Sequence, residues 1–134
     1  MKLASVVVFV CELDRSVRFY SELLGLTVTI RNDTAALLVS PDGSQLYLRC
    51  TSTKGAHPLG ALGPQYMLWT AGSEPEFDSA ASTLRAGGGR VHVTDEQGFH
   101  LLETRDPDDL PLMITFPGPN EFARDRIISR IYDW

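Results

Sequence analysis

Twelve residues in four short apolar segments carry most of the chemistry this sequence offers. They are Ser5, Val7 and Phe9; Gln45, Tyr47 and Arg49; Gln65, Met67 and Trp69; Pro111, Met113 and Thr115. Each trio occupies alternate positions, and alternate side chains of an extended strand share one face. Together they mix aromatic, amide, thioether and hydroxyl groups with a single charge, that of Arg49. An apolar surface with a few placed polar groups has the composition of a small-molecule site. Packing against a second copy of the chain is the competing reading. Phe9, Tyr47 and Trp69 suit either stacking on a planar ligand or a place in the core. Arg49 is either a surface residue near a strand end or an anchor for an anionic or polar group. No His, Asp or Glu belongs to the set, so a general base near neutrality must come from elsewhere. The nearest candidates are His92, His100 and Glu103, for which exposed or edge-strand roles compete with catalysis. His57 falls in a Gly/Pro-rich linker and reads as solvated.

The elements that position these residues follow from periodicity. Residues 3–10, "LASVVVFV", form a β-branched run expected to be a buried strand. In "LDRSVRFYSELLG", Leu13, Val17, Tyr20 and Leu24 line one face of a helix, with Asp14 as N-cap and Gly25 just past the end. "LTVTIR", "TAALLVS" and "SQLYLRC" then read as three strands, separated by turns at Asn32-Asp33 and "PDG". The order recurs after "TKGAHPLGALGP". "QYMLWT" is a strand, and "SEPEFDSAASTLRAG" is a helix with a capping box from Ser73 to Glu76 and Gly87 at its end. Its apolar stripe is Phe77, Ala80, Ala81 and Leu84. "RVHVT", "FHLLET" and "LPLMITF" complete the second set.

The chain is therefore read as two β-α-β-β-β units. "PDGSQLYL" begins at 41 and "PDDLPLMI" at 107, an offset of 107 − 41 = 66 that pairs Leu46 with Leu112 and Tyr47 with Met113. The expected organisation is one α+β domain over 1–134: a first module at 1–52, a linker at 53–64, a second module at 65–117 and an extension at 118–134. In the extension Ala123, Ile127, Ile131 and Trp134 are spaced as on an amphipathic helix. Even-numbered strand residues such as Val8, Val10, Leu46, Leu48, Leu112 and Ile114 are expected under the helices as core.

"VVVFVCELDRSVRFYSELLGLTVT" resembles the opening strand and helix of the vicinal oxygen chelate superfamily, which includes glyoxalase I, bleomycin-resistance proteins, fosfomycin-resistance enzymes and extradiol dioxygenases. "RDPDDLPLMITF" is similar to that family's closing turn and last strand. The resemblance implies paired modules forming a half-open, curved mixed sheet around a pocket, usually in a homodimer. Asp109 stands where the family's turn has Gly, a position Asp tolerates.

Metal-using members of that family place His, Glu or Gln on the first and last strand of each unit. Carried over by motif, those positions fall on Ser5, Tyr47, Gln65 and Met113. Ser5 is a weak donor, Tyr47 would have to surrender a phenolic proton, and the Met113 thioether is too soft for Mg, Mn or Zn. The expectation is no metal and no cofactor, unless a displaced site uses Gln65 with His100 or Glu103.

Totals exclude other classes. A net charge of −5 and a pI near 5.1 argue against nucleic acid. No apolar run reaches the ~20 residues of a membrane span, and the N-terminus lacks the pattern of a signal peptide. Cys11 and Cys50 are too few for a disulfide scaffold and are expected as reduced thiols in the cytoplasm. The leading expectation is metal-independent binding of a small planar or polar molecule, similar to antibiotic sequestration by bleomycin-resistance proteins. Its site is Ser5, Val7, Phe9, Tyr47, Arg49, Gln65, Met67, Trp69, Met113 and Thr115. The alternatives are an enzyme of the same superfamily (a lyase, isomerase or dioxygenase-like protein) and a non-catalytic interaction module.

Overall fold

Among the described residues, eight strands and two helices follow the expected order. The structure, a computed structural model, describes residues 1, 3–51, 55, 62–96 and 98–118. The expected C-terminal helix, His57 and most of the linker lie outside the described residues. The chain divides into two compact units, Met1–Ala56 and His57–Trp134.

The first unit contains β1 (Ser5–Val10), α1 (Leu13–Leu24), β2 (Thr27–Arg31), β3 (Ala35–Val39) and β4 (Gln45–Cys50). Its sheet order is β1-β4-β3-β2, with β1 parallel to β4 and the remaining pairs antiparallel. A parallel pair needs a long crossover, and α1 with the β2–β3 hairpin supplies it. Leu13, Ser16, Val17, Tyr20 and Leu23 form the buried stripe of α1, and Leu24 is only half-buried. Beneath them Val8, Val10, Leu38, Leu46 and Leu48 are buried, as the even-position reading requires. Each such side chain contributes about 1.5–3 kcal/mol by leaving water. The N-cap is Glu12, not Asp14. Asp14 sits in the first turn, where its charge favours the helix dipole, and pairs with Arg31 of β2. Gly25 ends the helix at φ 63, with nothing near the position of a Cβ. Its requirement is conformational rather than steric.

The second unit repeats this plan with β5 (Met67–Thr70), α2 (Glu74–Ala86), β6 (His92–Glu96), β7 (Phe99–Arg105) and β8 (Pro111–Phe116), in the order β5-β8-β7-β6. Phe77, Ala80, Ala81 and Leu84 are buried on α2. Ser73 Oγ accepts from Glu76 N–H at 3.3 Å, while the Glu76 carboxylate accepts from Gly72 N–H at 2.7 Å. The capping box thus closes one residue further out than its usual form. At the other end Gly88, not Gly87, takes the left-handed conformation, at φ 72. Gly89 N–H then reaches back to Leu84 O at 3.0 Å, satisfying a terminal carbonyl.

The offset of 66 persists in hydrogen bonds. Ser40 N–H donates to Ser44 O and Gly43 N–H to Ser40 O; Asp106 N–H donates to Leu110 O and Asp109 N–H to Asp106 O. Gly43 and Asp109 occupy the same left-handed corner, at φ 88 and φ 72. Asp106 Oδ1 accepts from the N–H groups of Asp108 and Leu110 at 2.9 and 2.8 Å. In the first turn Asp42 plays the corresponding part toward Ser44 N–H and the Ser40 hydroxyl.

Candidate functional site

Strand register decides which side chains share the sheet face that α1 does not cover. In a ladder, directly paired residues point the same way. In the first unit Phe9 is paired with Arg49 and Arg49 with Ala35. The next row runs Val7, Tyr47, Leu37 and Ile30; the row beyond it runs Ser5, Gln45, Val39 and Thr27. Of the expected site residues, Ser5, Val7, Phe9, Tyr47 and Arg49 thus come together on one face of one sheet. This face is open. Val7 is 59% exposed, Phe9 67% and Ile30 62%, with Arg49 exposed and Tyr47 and Leu37 half-buried. The opening strand, expected to be buried with its odd residues on a separate face, is buried on the side of α1 alone: Val8 and Val10 are buried, and Val7 and Phe9 are exposed.

The second unit departs from the expected parity. Leu68 is paired with Met113 and Thr70 with Thr115, while Met67 and Trp69 are paired with Leu112 and Ile114. Met67 and Trp69 therefore share the face of the buried core residues Leu112 and Ile114, opposite Met113 and Thr115. Val7 precedes its partner Tyr47 by 40 residues, and Leu68 precedes Met113 by 45. Five extra residues thus separate the first and last strands of the second unit. The offset of 66 holds for the last strands and becomes 61 for the first. Position 5 plus 61 is 66, so the counterpart of Ser5 is Tyr66 rather than Gln65. Gln65, half-buried, donates from its amide to Gly63 O at 2.8 Å.

The corresponding face of the second sheet is filled. Met113 and Thr115 are 0% exposed and Leu101 is 1%. Met113 packs with Phe99 and Leu101, and half-buried Tyr66 and Leu68 lie against that cluster. Thr115 Oγ1 lies 3.3 Å from Trp69 O, to which it donates, and 3.3 Å from Thr70 Oγ1. Glu103 stands beside Met113 in register, with a side chain 13% exposed, and His92 lies across from it on β6 at 4.0 Å. His100 is on the opposite face of β7. Its ring packs between Phe77 and Phe116, at centroid distances of 5.6 and 6.4 Å, with Asp95 at 3.5 Å and Glu74 at 3.8 Å. Glu103 and His100 consequently cannot serve one site. Sequence reasoning did not place Tyr66, Leu68, Phe99 or Leu101 on this face. "QYMLWT" is apolar at both parities, so only the pairing with β8 distinguishes its two sides.

The donors do not suit a divalent cation. Met113 offers a buried thioether in an apolar cluster, and Ser5 and Tyr47 offer neutral hydroxyls. Tyr66, the register counterpart of Ser5, adds a phenol. Among the described residues no group of three or more His, Cys, Asp or Glu is placed to hold a metal ion. No helix among them is long and apolar enough to cross a membrane.

Two β-α-β-β-β units, each a mixed four-stranded sheet with its first and last strands paired in parallel, define the class of protein. The sequence model of the Glyoxalase/Bleomycin resistance protein/Dioxygenase superfamily matches residues 2–114, and the chain belongs to that superfamily. The expected resemblance and fold class are borne out. Solved structures agree. A glyoxylase/bleomycin resistance protein/dioxygenase domain from Frankia sp. EAN1pec is 23% identical with a TM-score of 0.75, over 86% of this chain and 96% of that one. The oxidase ChaP-H2 is 22% identical with a TM-score of 0.69, over 86% and 92%. A lactoylglutathione lyase from Agrobacterium tumefaciens is 17% identical with a TM-score of 0.64, over 85% and 92%. At these identities the likeness is one of fold. No curated protein shows a match to this sequence.

Proposed function

We propose that the open sheet face of the first unit binds a small planar organic molecule without a metal, in the manner of sequestration by bleomycin-resistance proteins. The observation that carries this reading is the exposed row of Phe9 beside Arg49, above the row of Val7, Tyr47, Leu37 and Ile30. Monomeric soluble proteins seldom leave a contiguous apolar patch open without a use for it. Phe9 and Tyr47 offer ring faces for stacking. Ala35, next to Arg49 in the ladder, is too small to crowd the guanidinium. Arg49 is thus free in space to take a sulfonate, carboxylate or phenolate carried by a flat ring system. The same reading takes the protein as a cytoplasmic homodimer, to be checked by sedimentation.

Equilibrium dialysis with a planar aromatic sulfonate, its neutral analogue and bleomycin tests it. Phe9→Ala weakens binding of both flat probes by about tenfold, the loss of roughly 1.4 kcal/mol. Arg49→Ala weakens only the anionic one. Failure of all three compounds to bind, or binding unaltered in both variants, would sink the proposal.

A second reading, an enzyme of this superfamily, draws support from Glu103, a nearly buried carboxylate between Met113 and His92. A carboxylate is among the side chains that can move a proton to or from a bound molecule. Solved relatives described as a lyase and an oxidase point the same way. Elemental analysis of protein purified without chelator discriminates: near-stoichiometric Ni, Zn, Mn or Fe would displace the binding proposal.

A further inference from the structure

The chain has two cysteines, 39 residues apart in sequence, and the fold brings them together. Cys50 ends β4, and its Sγ donates to the carbonyl oxygen of Cys11 at 3.2 Å. Cys11 directly follows β1, whose last residue, Val10, is the ladder partner of Cys50. Cys11 lies in the bend that leaves β1, so the Cys50 thiol meets the Cys11 backbone where the chain is no longer held in the ladder. A disulfide requires the two Cβ atoms to approach to about 3.5–4.5 Å. Both residues are half-buried and are not joined. The ends of β1 and β4 are held: Thr51 N–H donates to Val10 O at 3.0 Å and Cys50 N–H to Thr34 O at 2.7 Å. Cys50 shares the face of its ladder partner Val10, and the residue after Val10 in extended chain would face the other way, so closure turns the bend at Cys11 and leaves the paired strands in place.

We propose that Cys11 and Cys50 form a reversible intramolecular disulfide, a redox modification site at the shared end of β1 and β4. The oxidant class is a low-molecular-weight disulfide. The thiolate of one cysteine attacks a sulfur of that disulfide, forming a mixed disulfide and expelling one small thiolate. The second cysteine's thiolate attacks the protein sulfur of the mixed disulfide and expels the other. Two protein thiols are oxidised, and the oxidant leaves as two thiols carrying both electrons and both protons. The product closes a loop that holds α1, β2 and β3, and it pins the strand ends two residues beyond Phe9 and one beyond Arg49. The proposal stands on the contact between the two cysteines and not on the ligand reading.

The test is oxidation of the full-length protein with oxidised glutathione, in native buffer and in 8 M urea, at roughly the same thiol–disulfide exchange conditions. Products are read by intact mass without reductant. The expected product in native buffer is a monomer lighter by two hydrogens, formed faster than in urea and reversed by dithiothreitol. Closing the loop should also raise the melting temperature by roughly 5 °C or more. Cys11→Ser and Cys50→Ser should each stop at a single glutathione adduct. A wild-type protein that retains glutathione adducts, cross-links only between chains, or closes faster in urea than in buffer would overturn the proposal. The wild-type masses decide the matter even where a Ser variant fails to fold.

Discussion

Replacing Met113 by Glu puts back the carboxylate that metal-using relatives carry at this point of the last strand. The structure predicts harm instead of a recovered site. Met113 is wholly buried against Phe99 and Leu101, and its ladder partner on β7 is Glu103. Paired side chains in an antiparallel ladder have Cβ atoms about 4.5–5.5 Å apart. The new carboxylate would lose water and face a like charge, and both effects raise its pKa above that of the unfolded chain. An uncompensated buried charge costs about 3–5 kcal/mol. For an acid whose folded pKa is raised, this penalty is full above the folded pKa and vanishes below the unfolded one. Lowering the pH from 8 toward 4.5 should therefore recover stability until only the burial of a neutral acid remains, about 1–3 kcal/mol. Met113→Gln isolates that neutral part and should show no comparable pH dependence. Met113→Leu, a volume-conserving change, should cost less than about 1.5 kcal/mol. Urea denaturation at several pH values measures all four proteins. If Met113→Glu matches the wild type at pH 8, Met113 does not sit in a dry apolar cluster and this face of the second sheet is not filled.

Other consequences are local. Asn32→Ala removes the Oδ1 that accepts from Thr34 and Ala35 N–H at 2.9 and 2.8 Å, and should cost about 1 kcal/mol by thermal melting. Asp109→Val forces a β-branched residue to φ 72 and should destabilise by about 1–2 kcal/mol, whereas Asp109→Gly should be near neutral in the same melts. The Asp42 carboxyl is held below its ordinary value, first by the Ser40 hydroxyl and then by Ser44. A lowered acid stabilises the fold above the unfolded value of 3.8 and loses that contribution as pH falls through the lower folded value. An NMR titration of Asp42 should move toward the ordinary value in Ser40→Ala, with Ser44 still holding it below; an unchanged midpoint would refute the assignment of cause.

What could be read from the sequence depended on how sharply each segment's two faces differ. In "LASVVVFV" and "SQLYLRC" the even residues alone are needed by α1, and the expected face matches the observed one at Ser5, Val7, Phe9, Tyr47 and Arg49. The turn at 106–110 was legible because its geometry has strict demands, which Asp109 meets without Gly. In "QYMLWT" the face was not legible. Tyr66, Leu68, Met67 and Trp69 are all large and apolar, so neither parity is disfavoured by burial, and the repeat offset taken from the last strands slips by five before reaching this strand. Gln65, Met67 and Trp69 were placed one residue out of phase for that reason. The Cys11–Cys50 contact was illegible for a different one: it depends on a parallel pairing across the whole first unit, which no local pattern encodes.

The duplication explains why the two units diverge as they do. Both inherit the same ladder, so Tyr47 and Met113 hold equivalent places, yet one is half-buried on an open face and the other wholly buried in a filled one. Composition accounts for part of this. Across the row of Met113 the second sheet presents Leu68, Glu103 and His92, and the adjoining row adds Thr115 and Leu101. Phe99 and Tyr66 close over the thioether. Across the row of Tyr47 the first sheet presents Val7, Leu37 and Ile30, with Arg49 and Ala35 in the next row. Ala35, itself buried, projects less than Leu101, its counterpart at the offset of 66. The neighbouring Phe9, Val7 and Ile30 stay exposed where Phe99 and Leu101 are buried in the second unit. A ligand held on the first unit alone would lose affinity on Ala35→Leu, which narrows the space beside Arg49, and would be indifferent to Met113→Leu. Dialysis with the anionic planar probe reads both variants. Equal losses from the two substitutions would mean that the second face shares the ligand and that the first unit does not hold it alone.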